Sequence, residues 1–172
     1  MGMNAIRTPE SYMGETLAIA EGALADGEFP IAAILVLKDE IVAKASTAEV
    51  RTGRTLVHAE FSVLAEADTF GWSLEERRSA VLYTNLEPCL MCLGAAMSFP
   101  LGEIYYGLES PGDGAVDLVR NWNRAEDDFP SYQIPKITSG LLRQESIDLL
   151  KAYVRLTPPG PRRDWAATLA SL

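Results

Sequence analysis

The stretch Ile31 to Leu37, IAAILVL, is seven apolar residues without a break, followed after Lys38–Asp39–Glu40 by IVAKAS. A strand that alternated apolar and polar residues would face water on one side. An unbroken run demands cover on both faces. The pair therefore reads as a β-hairpin whose first strand is buried in a sheet with layers on either side. At seven residues the run is far too short to cross a bilayer, so no membrane association is expected. Apolar residues make up 48% of the 172-residue chain, enough for a core without a disulfide scaffold.

The rest of the chain supplies the covering layers. Thr8 followed by Pro9 marks a helix start, and Met13, Leu17, Ala20 and Leu24 recur at helical spacing until Gly27. Thr47 to Val57 reads as a polar loop, His58 to Phe70 as a helix, and SLEERR as a short charged connection to a strand over Ala80 to Asn85. A further helix is expected from Cys89 to Phe99, a strand over Glu103 to Leu108, and a helix over Ala115 to Trp122. An acidic loop at Glu126–Asp127–Asp128 follows, then a short strand in YQIPKIT and a last helix from Leu141 to Leu156. The tail TPPGPRRDWAATLASL opens with three prolines in five residues and is expected to leave the core as an extended arm. The division is thus one globular domain over 1–156 and an extended tail over 157–172. The alternating order indicates an α/β fold with helices on a mixed sheet.

Only three residues of the chain are Cys or His: His58, Cys89 and Cys92. His58 and Cys89 each fall at an expected helix start, and Cys89 and Cys92 at i and i+3 share one helical face. Three such ligands leave a zinc ion one position for water, the pattern of catalytic sites, whereas a structural site would need a fourth protein ligand. Glu60, two residues after His58, points about 200° around the helix from it and is free to move protons beside the metal. A CxxC pair alone would equally suit a dithiol or two inert thiols; Pro88 before it and HAE upstream favour metal. Glu87 reads first as a turn stabiliser, Arg51 and Arg54 as a solvated loop, and Arg162–Arg163 as exposed. Trp72, Trp122 and Trp165 read as packing residues.

His58–Ala59–Glu60 followed by Pro88–Cys89–Leu90–Met91–Cys92 resembles the H-x-E and P-C-x-x-C signature of the zinc-dependent cytidine/deoxycytidylate deaminase superfamily. EFPIAAILV, VHAE, LYTNLEPCLMCLGAAM and EIYYGLESPGDGA look like successive blocks of the branch holding tRNA adenosine, guanine and cytosine deaminases. The similarity runs from residue 12 to residue 155. It implies a three-layer α/β/α fold with a five-stranded mixed sheet, a homodimer, Zn2+ held by His58, Cys89 and Cys92, and Glu60 as catalytic acid/base. It places the substrate against Thr47, Ala59, Leu86, Glu87 and Pro88. Thr47 stands where relatives commonly carry an Asn that grips the base, and Thr55–Leu56–Val57 replaces their P-T-A before the His.

Fifteen basic against twenty-four acidic residues give a net charge of −9, which argues against a nucleic-acid partner. The expected function is hydrolytic deamination of a free base or nucleoside of guanine or cytosine type in the cytoplasm. tRNA adenosine deamination is the alternative. It calls for a cationic last helix, where only Arg143, Lys151 and Arg155 are found without the tail pair. A catalytically idle zinc module is a third reading, disfavoured by the intact Glu60.

Overall fold

A computed structural model describes residues 7–122 and 132–172. Its elements run α1 (Pro9–Ala25), β1 (Ala32–Leu37), β2 (Glu40–Ser46), α2 (Glu49–Thr52), α3 (Ala59–Asp68), α4 (Leu74–Ser79) and β3 (Val81–Leu86). They continue with α5 (Leu90–Ser98), β4 (Glu103–Leu108), α6 (Val116–Arg120), β5 (Lys136–Thr138), α7 (Arg143–Leu156) and α8 (Pro161–Ala170). The acidic loop expected at 126–128 lies outside the described residues. Among the described residues, no helix is long and apolar enough to cross a membrane.

The five strands form one sheet in the order β2-β1-β3-β4-β5. β1 pairs antiparallel with both β2 and β3, while β3–β4 and β4–β5 are parallel. All six residues of β1 are buried, as the unbroken apolar run requires. Ala33, Leu35 and Leu37 face Val63, Leu64, Leu93 and Met97 of α3 and α5, and Ile34 and Val36 pack with Tyr12 and Tyr83 on the opposite face. The expected three-layer α/β/α arrangement with a five-stranded mixed sheet is therefore the one that forms.

Local chemistry sets most element ends. Thr8 caps α1 by accepting from Ser11 N–H, and Ser73 and Glu76 make a reciprocal capping box on α4, a helix where only a charged connection was expected. The two-residue hairpin turn puts both Lys38 and Asp39 at positive φ, and Tyr12 Oη donates to Asp39 C=O at 2.9 Å. Inside the polar loop a short helix, α2, forms because buried Glu28 accepts from Val50 N–H at 2.7 Å and Arg51 N–H at 3.3 Å. A carboxylate at a helix start satisfies amides that have no intrahelical partner.

The C-terminal segment corrects the sequence reading. Residues 157–172 do not leave the core as an extended arm: Pro161 sits at the start of α8, where its ring favours a helix beginning. Ala166 and Leu169 are buried against Ile147, Leu150 and Tyr153 of α7, and Trp165 meets the Phe29 ring edge-on at 5.3 Å. The prolines bend the chain back instead of releasing it.

Candidate active site

β1 begins and β3 ends beside the starts of α3 and α5, and the metal donors stand there. His58 is the N-cap of α3 and Cys89 the N-cap of α5, and neither side chain makes a capping bond. Both are thus held in extended backbone at a helix start with side chains free for another partner. Cys92, one turn into α5, is buried beside them. Cys89 Sγ and Cys92 Sγ each lie 3.6 Å from His58 Nδ1, and the three donor atoms fall within 4.8 Å of one another. Tetrahedral bonds of about 2.3 Å to sulfur and about 2.05 Å to nitrogen place N and S about 3.6 Å apart, so the donor set fits zinc.

The electrostatics follow from these contacts. Hydrogen bonding from Cys92, then from His58, holds the Cys89 thiol down to about 4. Its partnership with Cys89 raises His58 to about 9, against the opposing effect of burial. Cys92 is pushed up, because its hydrogen bond with Cys89 and its burial disfavour a second adjacent thiolate. On the ring edge away from the sulfurs, His58 Nε2 lies 3.4 Å from Glu49 Oε1, at the start of α2. A carboxylate there fixes the orientation of a ligating imidazole. Glu28 thus contributes indirectly, by capping the helix that carries Glu49.

Glu60 is 4% exposed. Thr84 Oγ1 donates to its Oε1 at 3.1 Å, and its Oε2 lies 3.6 Å from Cys92 Sγ. Burial outweighs these hydrogen bonds and raises the carboxyl above its ordinary range.

A cleft of about 370 Å³ opens over this cluster, lined by Thr47, Ala59, Leu86 and Glu87 together with His58, Glu60 and Cys89. It lies at the small end of ligand-site volumes. Pro88 does not line it; its carbonyl instead accepts from Ala115 N–H. Thr47 turns its hydroxyl proton inward, donating to Val57 C=O at 3.1 Å. Both Glu87 oxygens are engaged, by Ser110 N–H at 2.9 Å and Val116 N–H at 3.0 Å. Gly114 makes that possible, since a Cβ there would stand 2.4 Å from the Glu87 carboxyl carbon. Glu87 therefore holds the β4–α6 loop, as the turn-stabilising reading expected, while also walling the cleft.

Sequence reasoning missed Phe29, Ile31, Glu49, Asp113, Pro161, Arg162 and Trp165, which complete the lining. Asp113 had a signal in the GDGA loop, and Phe29 and Ile31 in the entry to the buried strand. Arg51 and Arg54 are exposed and do not line the cleft.

Residues 6–108 match the family described as the cytidine and deoxycytidylate deaminase zinc-binding region. The chain belongs to this family. This deaminase is 36% identical over 148 residues to the tRNA-specific adenosine deaminase of Bacillus subtilis, spanning 85% of this chain and 88% of that protein. It is 32% identical over 146 residues to the tRNA-specific adenosine deaminase of Agrobacterium fabrum, spanning 84% and 92%. A solved structure from work on A-to-I editing by tRNA:A34 deaminases at the wobble position superposes with a TM-score of 0.66 at 29% identity, covering 80% of this chain and 97% of that one.

The chain is thus a zinc-dependent deaminase, with His58, Cys89 and Cys92 placed to bind the ion. The relatives overturn two expectations: a free base or nucleoside as substrate, and the absence of a nucleic-acid partner. The reason is physical. Net charge sums the whole surface and carries no information about the local potential at one cleft.

Proposed function

We propose that this deaminase acts on transfer RNA, converting an adenosine to inosine. The observation that carries the reading is the 36% identity, across 85% of the chain, to a protein named as a tRNA-specific adenosine deaminase, combined with a complete donor set and Glu60 beside it. Water adds at C6 of the base, the C6–N bond breaks, and ammonia leaves.

Zinc held by His58, Cys89 and Cys92 would supply a Lewis acid and a water ionisable near neutral pH. The chain's own residues do the rest. Glu60, its carboxyl raised by burial, takes one proton of the attacking water to the ring nitrogen and then carries the proton of the added hydroxyl to the departing amine, so that both protons of the water are accounted for. Thr84 holds Oε1, leaving Oε2 to carry that proton. Glu49 keeps Nδ1 of His58 facing the sulfurs. Ala59 and Leu86 wall the base, and Thr47, with its proton engaged by Val57, meets the base edge as an acceptor.

The enzyme works as a homodimer in the cytoplasm. Leu56, Phe61 and Leu90, neighbours in sequence of the active-site residues, are 63%, 39% and 58% exposed, apolar side chains that a second copy would cover. The test is digestion of an anticodon stem-loop after incubation with zinc-loaded enzyme. Inosine in place of one loop adenosine is expected, and its absence in the presence of bound zinc would overturn the reading.

A further inference from the structure

Asn85 of β3 is buried, and it is not among the residues that line the cleft. The antiparallel pairing of β1 with β3 runs from Val36 opposite Val81 to Ala33 opposite Thr84 and stops there. Beyond that point the side chain of Asn85 takes over from the backbone. Its Oδ1 accepts from Ala32 N–H at 2.8 Å, and its Nδ2 donates to Pro30 C=O at 2.8 Å. An amide carries donor and acceptor in one plane, as a peptide unit does, so Asn85 acts as one more rung of the ladder.

Those two bonds bracket Ile31. Ile31 N–H donates to Phe29 C=O at 2.8 Å across Pro30, and Ile31 C=O accepts from Thr47 N–H at 2.9 Å. Phe29, Ile31 and Thr47 all line the cleft. At the start of the same segment, Glu28 accepts from the amides of Val50 and Arg51. Residues 28–32 thus form a bridge: Asn85 fixes them to β3, and they fix the loop that carries Thr47 and Glu49. Filling space alone would need only an apolar residue, as Leu82 and Leu86 supply on the same strand. A buried amide costs desolvation, and here both of its polar groups go to one short turn of backbone.

We propose that Asn85 is a positioning residue for the base: its amide sets the place of Phe29 and Ile31 and, through Ile31, of Thr47 against the reacting adenosine. The proposal rests on the tRNA reading and deepens it, naming the residue that shapes the base wall without touching the base.

The test compares wild type with Asn85→Ala, Asn85→Asp and Met13→Ala. Asn85→Asp keeps the shape and the acceptor for Ala32 N–H but sets an oxygen against Pro30 C=O. Met13 is a fully buried α1 residue outside the cleft lining, so its truncation controls for lost stability. All four proteins are assayed zinc-loaded and below their melting temperatures on an anticodon stem-loop, and amide hydrogen exchange is read at Ala32 and Thr47. Both Asn85 variants are expected to lower kcat about 10- to 100-fold with KM within about threefold. Phosphate contacts carry much of the affinity for RNA, whereas a base displaced by about 1 Å reacts slowly. Exchange at Ala32 and Thr47 is expected to quicken about tenfold or more. Met13→Ala melts at lower temperature, but its kcat stays within about twofold of wild type and the two amides change only in step with the rest of β1.

An unchanged kcat in both Asn85 variants would overturn the proposal. So would a fall in kcat with exchange at Thr47 unaltered, which would deny the route through Ile31. An equal fall in Met13→Ala would reduce Asn85 to a structural residue and overturn it too. A stem-loop that wild type never edits overturns the tRNA reading itself, a signature distinct from an edited RNA whose kcat ignores Asn85.

Discussion

Two parts of the cleft lining are built on different principles. Around the metal donors, His58, Cys89, Cys92 and Glu60 stand at the first turns of two helices rooted in the central sheet, and residues close in sequence are close in space. In the part supplied by α8, Trp165 meets Phe29 across more than a hundred residues of chain, and the contact is aromatic packing. The comparison teaches that reactivity here is a local property of short motifs. The α8 side of the lining depends on long-range docking, which can vary without disturbing the metal donors.

The sharpest way to break that division is at Glu60. Glu60→Gln keeps shape and removes the proton carrier, so kcat should fall by about 10²- to 10⁴-fold while zinc content stays equimolar. Retained turnover in a zinc-loaded Glu60→Gln protein, measured on the stem-loop, would remove the carboxyl from the mechanism. Next comes the support of the metal ligand: Glu49→Ala should weaken zinc binding about 10- to 100-fold in competition with a chelator. Glu49→Asp should recover part of the loss. Equal zinc affinity in all three proteins would mean that the 3.4 Å approach to Nε2 orients nothing.

On the α8 side of the lining, Trp165→Ala should cost about 2 kcal/mol of stability, below the full cost for a buried aromatic because Trp165 is partly exposed. Thermal unfolding checks this, and zinc affinity should stay unchanged if the two parts are independent. A matching drop in zinc affinity would tie them together.

The smallest expected effect concerns Glu109, on the loop after β4, paired with Arg143 at the start of α7. Arg143 holds the Glu109 carboxyl below its usual 4.5. A depressed acid contributes stability above the unfolded pKa and loses it as pH falls through the folded one. Arg143→Gln should therefore unfold at slightly lower denaturant than wild type above pH 4.5, with the gap closing in more acidic solution. The pair is partly solvated, so the shift is small. A gap that persists at low pH would show that Arg143 acts through packing.

The same contrast explains what could be read in advance. The apolar run from Ile31 dictated a doubly covered strand, and the order of periodic segments dictated the layers, so the sheet and its helices were legible. The metal donors were legible because a helix start and an i, i+3 spacing suffice to place them. Glu49 was hidden inside a polar loop: α2 forms there through the Glu28 carboxylate, a contact spanning more than twenty residues that no local pattern announces. The tail was misread because three prolines suggest extension, while burial of Ala166 and Leu169 on α7 decides the outcome. The substrate was misread from a summed charge, which carries no information about the potential at any one face.

The most direct test of the account is a competition for one enzyme preparation, zinc-loaded and at fixed salt, between an anticodon stem-loop and free adenosine, guanine and cytosine. The account predicts inosine in the stem-loop, with kcat/KM for the RNA exceeding that for any free compound. Turnover of a free base with the stem-loop left intact would contradict it.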